Sequence, residues 1–88
     1  MVSRKVTVLS ENGLHFRPAN AFATEMDRFQ SEIRLFNNGA ETNAKSIIGV
    51  LSARIKYGSE LTVTANGPDE EAALKRAVEL LEEAGIVG

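Results

Sequence analysis

Two rhythms of apolar and polar positions alternate along the chain, one with a period of two and one with a period near 3.6. Val2 to Leu9 carries the short period, with Val6 and Val8 on one side, and reads as a strand. Ser10-Glu11-Asn12-Gly13 breaks it with turn residues. Residues 16–29 take up the longer period through Ala19, Phe22, Ala23, Met26 and Phe29, which predicts a helix. Ile33 and Leu35 restore the short period. Asn37-Asn38-Gly39 is a hairpin signal, which predicts a short returning strand over residues 40–43. Ser46 caps a short helix running to about Ala53. Leu61, Val63 and Ala65 mark a last strand, closed by Asn66-Gly67-Pro68. Asp69 stands at the N-cap of a final helix whose apolar stripe is Leu74, Ala77, Val78 and Leu81, and Gly85 stops it. The order is β-α-β-β-α-β-α. The expected architecture is α+β, with one layer of helices covering one face of an antiparallel sheet.

Length and composition narrow the functions open to this pattern. Eighty-eight residues make one small domain, 1–88, too small for a deep enclosed active site. No cysteine is present, which removes disulfides and thiolate metal sites, and a single histidine builds no metal centre. Neither a metal nor any other cofactor is expected. No apolar run reaches membrane-spanning length, and the opening MVSRKVTV does not fit a secretory leader, so a cytoplasmic protein without membrane insertion is expected. The net charge of -2 is unevenly spread. Asp69, Glu70, Glu71, Glu79, Glu82 and Glu83 outnumber Lys75 and Arg76 on the final helix, leaving the remainder mildly basic. That remainder suits an acidic protein partner better than nucleic acid.

The candidate chemistry gathers at Gly13-Leu14-His15-Phe16-Arg17-Pro18-Ala19. His15 falls at the expected N-cap of the first helix. Pro18 sits in its first turn, where a missing N–H costs little. An imidazole there would stand beside free N–H groups and the positive helix end, which together favour an anion. Arg17 adds a permanent cation able to hydrogen-bond phosphate oxygens. These parts suit phosphoryl transfer to a neutral imidazole, whose pKa the same positive surroundings lower. Taken by themselves, the residues fit a surface histidine cap with a solvated arginine more readily than a phosphoryl acceptor.

GLHFRPA closely resembles the active-centre segment of the HPr family, the histidine-containing phosphocarriers of the bacterial sugar phosphotransferase system. The likeness runs through AKSIIGVL, YGSELTVTANGPDEEAA and the closing helix. It implies an open-faced sandwich of four antiparallel strands with three helices on one side. It further implies that enzyme I, charged by phosphoenolpyruvate, phosphorylates Nδ1 of His15, that Arg17 steadies the phosphate, and that enzyme IIA receives the group. One departure is Phe16, where the family usually has alanine. Its ring would pack on a partner, partly shield the phosphate, or, since it lies near the margin of the helical stripe, simply cover the edge of the core.

The same resemblance gives Ser46 a second meaning. As a helix cap it needs no further role. As the family's regulatory serine it would be phosphorylated by HPr kinase/phosphorylase, and the product would bind a catabolite control transcription factor. Ile47, Ile48, Val50 and Leu51 span roughly 160 degrees of a helical wheel, wider than a short surface helix buries, so some are exposed. Val50 belongs to the core. Ile47, Ile48 and Leu51 match the family's partner-docking positions, with Asn20 and Thr24 on the polar side of the first helix beside them. Lys45 reads as a solvated lysine. The alternative function is a regulatory module on the same fold. An HPr-like branch serving catabolite repression lacks the active histidine, which His15 argues against here. A nucleic-acid-binding sheet fits poorly because the strands offer only Phe36 for stacking. An acyl carrier using Ser46 would be wholly helical. Nothing resembles a catalytic triad or a nucleotide loop, so the chain is read as a carrier acting as a monomer, not an enzyme.

Overall fold

The computed structural model describes residues 1–10, 16–37, 39–53 and 55–87, with the side chains of residues 16–18 outside that description. Its seven elements follow the expected order: β1 (Val2–Thr7), α1 (Phe16–Met26), β2 (Glu32–Asn37), β3 (Ala40–Asn43), α2 (Ile47–Ser52), β4 (Glu60–Asn66) and α3 (Glu70–Glu83). The strands form one antiparallel sheet in the order β1-β4-β2-β3. Ile33 and Leu35 of β2 and Leu61, Val63 and Ala65 of β4 are all buried. Their alternating neighbours Arg34, Phe36, Thr62 and Thr64 lie on the opposite, more open face. Ala19, Phe22 and Met26 of α1, Val50 of α2, and Ala73, Ala77 and Leu81 of α3 join the same core. One helical layer therefore covers one face of the sheet.

Two boundaries shift from the sequence reading. The β1 ladder with β4 ends at Thr7, paired with Glu60. Val8, fully buried, instead exchanges hydrogen bonds with Ser59 O and Gly58 N, both at 2.9 Å, and bridges Val87 near the C-terminus. The apolar alternation persists to Val8, but the partner strand has already turned away. α1 ends at Met26 rather than residue 29. Arg28 N and Phe29 N donate three residues back, to Glu25 O and Met26 O, in a tightened terminal turn that keeps Phe29 packed against the core.

Turn chemistry explains the corners. Asn37 pairs with Ala40, which leaves a two-residue connection in which Gly39 has φ +86. At the end of α3, Gly85 has φ +74, Gly85 N donates to Glu82 O, and Ile86 N donates to Leu81 O. That pair of bonds is a Schellman stop.

Asp69 requires a correction. It occupies the N-cap position of α3, yet its side chain makes no capping hydrogen bond. Its carboxylate reaches the turn before β2 instead. Gln30 N donates to Oδ2 at 2.9 Å and Ser31 N to Oδ1 at 2.8 Å, and the Ser31 hydroxyl also donates to Oδ1. Two backbone donors and a hydroxyl outcompete the helix's own N–H groups. A cation adds a second tie to the helical layer. Arg76 of α3 meets Glu25 of α1 at 3.4 Å and Glu83 at 3.1 Å.

Candidate functional site

The phosphate-accepting chemistry expected at His15 falls outside the described residues, as do the side chains of Phe16, Arg17 and Pro18. What the structure fixes is the element that carries them. α1 starts at Phe16, one residue after His15 in the chain, and has no acidic side chain in its first turn. Its buried face runs through Ala19, Phe22, Ala23 and Met26, which anchors the helix on the core. Asn20 and Thr24 lie on the exposed side, as expected. α1 packs against both α2 and α3.

The second part of the site is α2. Ser46 is its N-cap in extended conformation, and Gly49 N donates to Ser46 Oγ at 3.0 Å. A Cβ on Gly49 would lie 3.2 Å from Ser46 Cβ, from Ser46 Oγ and from Thr42 Cγ2. Glycine there lets the cap close while the helix stays against β3. The four apolar residues divide as their width on the wheel requires. Val50 is fully buried, Leu51 is half-buried against the core, Ile47 is half-buried, and Ile48 is 78% exposed. Of the three expected docking residues, Ile48 alone is fully presented to solvent.

Two polar contacts around α2 escape a linear reading. Lys45 is not a free solvated lysine: its Nζ donates to Phe29 O at 2.6 Å, which ties the turn after α1 to the start of α2. Asn37 Nδ2 donates to Ala53 O, at the C-cap of α2, at 2.8 Å. Each joins residues 16 apart in sequence. The only local signal was a polar residue at a core-facing position of β2.

Among the described residues no cluster of histidine, cysteine, aspartate or glutamate could hold a metal, and no helix is long and apolar enough to cross a membrane. A groove of about 400 Å³ between β1 and α3 is lined by Val2, Arg4, Leu74 and Val78, with no residue of α1 or α2.

Known proteins share this arrangement. A family model described as "PTS HPr component phosphorylation site" matches residues 2–83. The HPr-like protein Crh of Bacillus subtilis is 41% identical over 83 residues, covering 94% of this chain and 98% of Crh. A crystal structure of B. subtilis Crh, described as a domain-swapped dimer, gives a TM-score of 0.75 over 94% of this chain and 95% of that one. The histidine-containing phosphocarrier protein of a mycoplasma superposes with a TM-score of 0.96 at 30% identity, covering 98% of both chains. The phosphocarrier protein HPr of Bacillus anthracis gives 0.83 at 40% identity, covering 90% of this chain and 94% of that one. With sequence and fold agreeing across nearly the whole length, this chain belongs to the HPr family of phosphocarrier proteins of the phosphotransferase system.

Proposed function

We propose that the chain takes a phosphoryl group from enzyme I on His15 and passes it to an enzyme IIA. The observation that supports this most is the phosphorylation-site family match over residues 2–83, in a chain whose single histidine directly precedes a core-anchored helix. In the transfer, Nδ1 of neutral His15 attacks the phosphorus held by enzyme I. The new N–P bond forms as the donor's bond to phosphorus breaks, and the donor side chain leaves with the electron pair. Arg17 and the N–H groups of the first turn of α1 balance the negative charge of the carried group. The partners supply in-line positioning, and Ile48 offers an apolar contact for docking. Phe16, next to His15 in the chain, takes part in the contact with the partner. The reaction belongs in the cytoplasm, where phosphoenolpyruvate is available to enzyme I.

The test is mass spectrometry after incubation with enzyme I and phosphoenolpyruvate. The wild-type chain gains one acid-labile phosphoryl group, and His15→Ala gains none. Equal phosphorylation of the two overturns the assignment.

The identity to Crh supports a second reading, a regulatory module acting in catabolite repression. In it, HPr kinase/phosphorylase modifies Ser46 with ATP, and the product binds a catabolite control transcription factor. Phosphate gained only with kinase and ATP favours the regulator. Carriage through His15 needs only a monomer. The swapped dimer of Crh supports a dimer for the regulatory reading. Light scattering of the purified chain separates the two assemblies.

A further inference from the structure

Asn37 ends β2 at a position where the alternation calls for an apolar residue. Ile33 and Leu35 precede it on the core-facing side, and Asn37 is itself only 6% exposed. The one hydrogen bond of its side chain among the described residues is the Nδ2 donation to Ala53 O at 2.8 Å. A carbonyl oxygen only accepts, so this contact fixes which end of the amide faces the helix. The helix it meets has six residues, too few to hold its shape alone, and its last carbonyls have no partner within it. Among the contacts that hold it are buried Val50 and half-buried Leu51 on the core side, the Ser46 cap on Gly49 N, and the Asn37 amide at the far end. Ile48 projects from between them.

We infer that Asn37 is a positioning residue for docking of the phosphoryl donor: by clamping the C-terminal carbonyl of α2 it sets the direction in which Ile48 is presented. This rests on the reading above that enzyme I phosphorylates the chain and docks on α2. The contact of the Asn37 side chain among the described residues is with α2, so its loss weakens encounter and leaves the chemical step alone.

The experiment follows steady-state phosphorylation by enzyme I and phosphoenolpyruvate with the full chain as the varied substrate, below its melting temperature. Asn37→Leu keeps the branched shape, with more bulk, and removes the donor. It raises KM about fivefold, the weight of one hydrogen bond, with kcat unchanged. Asn37→Ser, which no longer reaches Ala53 and adds no bulk, is read the same way if the leucine variant fails to fold. Ile48→Ala alone also raises KM, and in the Asn37→Leu background it raises KM by a smaller factor, since the two act through one helix. Equal factors in both backgrounds overturn the inference. So does an Asn37→Leu protein with wild-type KM beside an Ile48→Ala protein with raised KM, in which case docking on α2 stands. If Ile48→Ala leaves KM unchanged, docking on α2 falls and the inference falls with it.

Discussion

Ser31 and Asp69, 38 residues apart in the chain, are joined twice: Ser31 N donates to the Asp69 carboxylate at 2.8 Å, and the Ser31 hydroxyl donates to the same oxygen. With Gln30 N on the other oxygen, the carboxylate is welcomed in its charged form. The Ser31 hydroxyl first, then Gln30 N, hold its pKa below the ordinary value. A depressed folded pKa means stability present above the unfolded value, about 3.9, and lost as pH falls through the lower folded value. Asp69→Asn therefore lowers the melting temperature at pH 7, and the gap to wild type closes progressively below about pH 4. Thermal unfolding across a pH series checks this; a gap that stays constant down to pH 2 contradicts it.

Gly67 makes that junction possible. A Cβ there would lie 2.7 Å from Ser31 Cα and 2.8 Å from Ser31 Oγ, and the φ of +155 already disfavours a side chain. The obstacle is backbone, which cannot rotate aside. Gly67→Ala should cost about 2 kcal/mol or more. It should also free the Ser31 amide to exchange. Chemical denaturation followed by amide hydrogen exchange at Ser31 reads both effects, and wild-type stability would show that the two segments are less tightly apposed.

These two residues show where a linear reading stops. Asp69 was recognisable as a residue at a helix start, and it is one, but its side chain serves a partner that only the folded sheet brings near. Lys45 and Asn37 fail for the same reason, since their acceptors are carbonyls of Phe29 and Ala53, and backbone carbonyls carry no sequence signature. What periodicity does encode is burial. Ala19, Phe22, Ile33, Leu35, Leu61, Val63 and Ala77 all lie in the core, and the overly wide apolar arc of α2 implied that Val50 is buried and some of its neighbours are exposed, an exposure that falls on Ile48 while Ile47 and Leu51 are half-buried. Local capping was equally legible where the partner is three residues away, as at Ser46, or where glycine must take a positive φ, as at Gly85. The segment around His15 is legible as a family resemblance, while the geometry of the residue lies outside the described residues.

Lys45 bridges the turn after α1 and the start of α2. Its Nζ donates to Phe29 O at 2.6 Å. Lys45→Met retains the aliphatic stem and removes the donor, leaving a half-covered carbonyl unpaired. The expected loss is about 1 kcal/mol, in the ordinary range for one hydrogen bond. Lys45→Arg keeps a donor and should lose less. Urea unfolding of the two variants decides; identical midpoints for Lys45→Met and wild type would show that water replaces the ammonium at no cost.

Val50 and Ile48 sit two residues apart on α2 and separate stability from recognition. Val50 is fully buried, so Val50→Ala leaves a cavity and should cost about 1–3 kcal/mol. Ile48 is 78% exposed, so Ile48→Ala should change stability by no more than about 0.5 kcal/mol. Under the proposed docking, the order reverses for phosphoryl transfer. Ile48→Ala raises KM for enzyme I, and Val50→Ala, while folded, has the smaller effect. Paired thermal melts and transfer kinetics test the division. It fails if Ile48→Ala is the more destabilised protein.

Ser46 allows charge to be separated from capping. Its Oγ accepts Gly49 N at 3.0 Å, and both aspartate and asparagine are capping residues of comparable strength. Ser46→Asp and Ser46→Asn should therefore both keep α2, seen as unchanged circular dichroism. Only the first places a negative charge beside exposed Ile48. If enzyme I approaches with an acidic surface, Ser46→Asp slows phosphorylation of His15 about tenfold at low salt, the factor that ~1.4 kcal/mol of repulsion gives. Ser46→Asn stays close to wild type. The difference should shrink as added salt shortens the screening length from about 30 Å at 0.01 M toward about 8 Å at 0.15 M. Phosphoserine, with nearly two charges and a larger group, should act in the same direction and more strongly. Matching rates for the aspartate and asparagine variants at low salt would show that Ser46 influences the carrier through helix geometry alone and that charge at this cap is not what enzyme I reads.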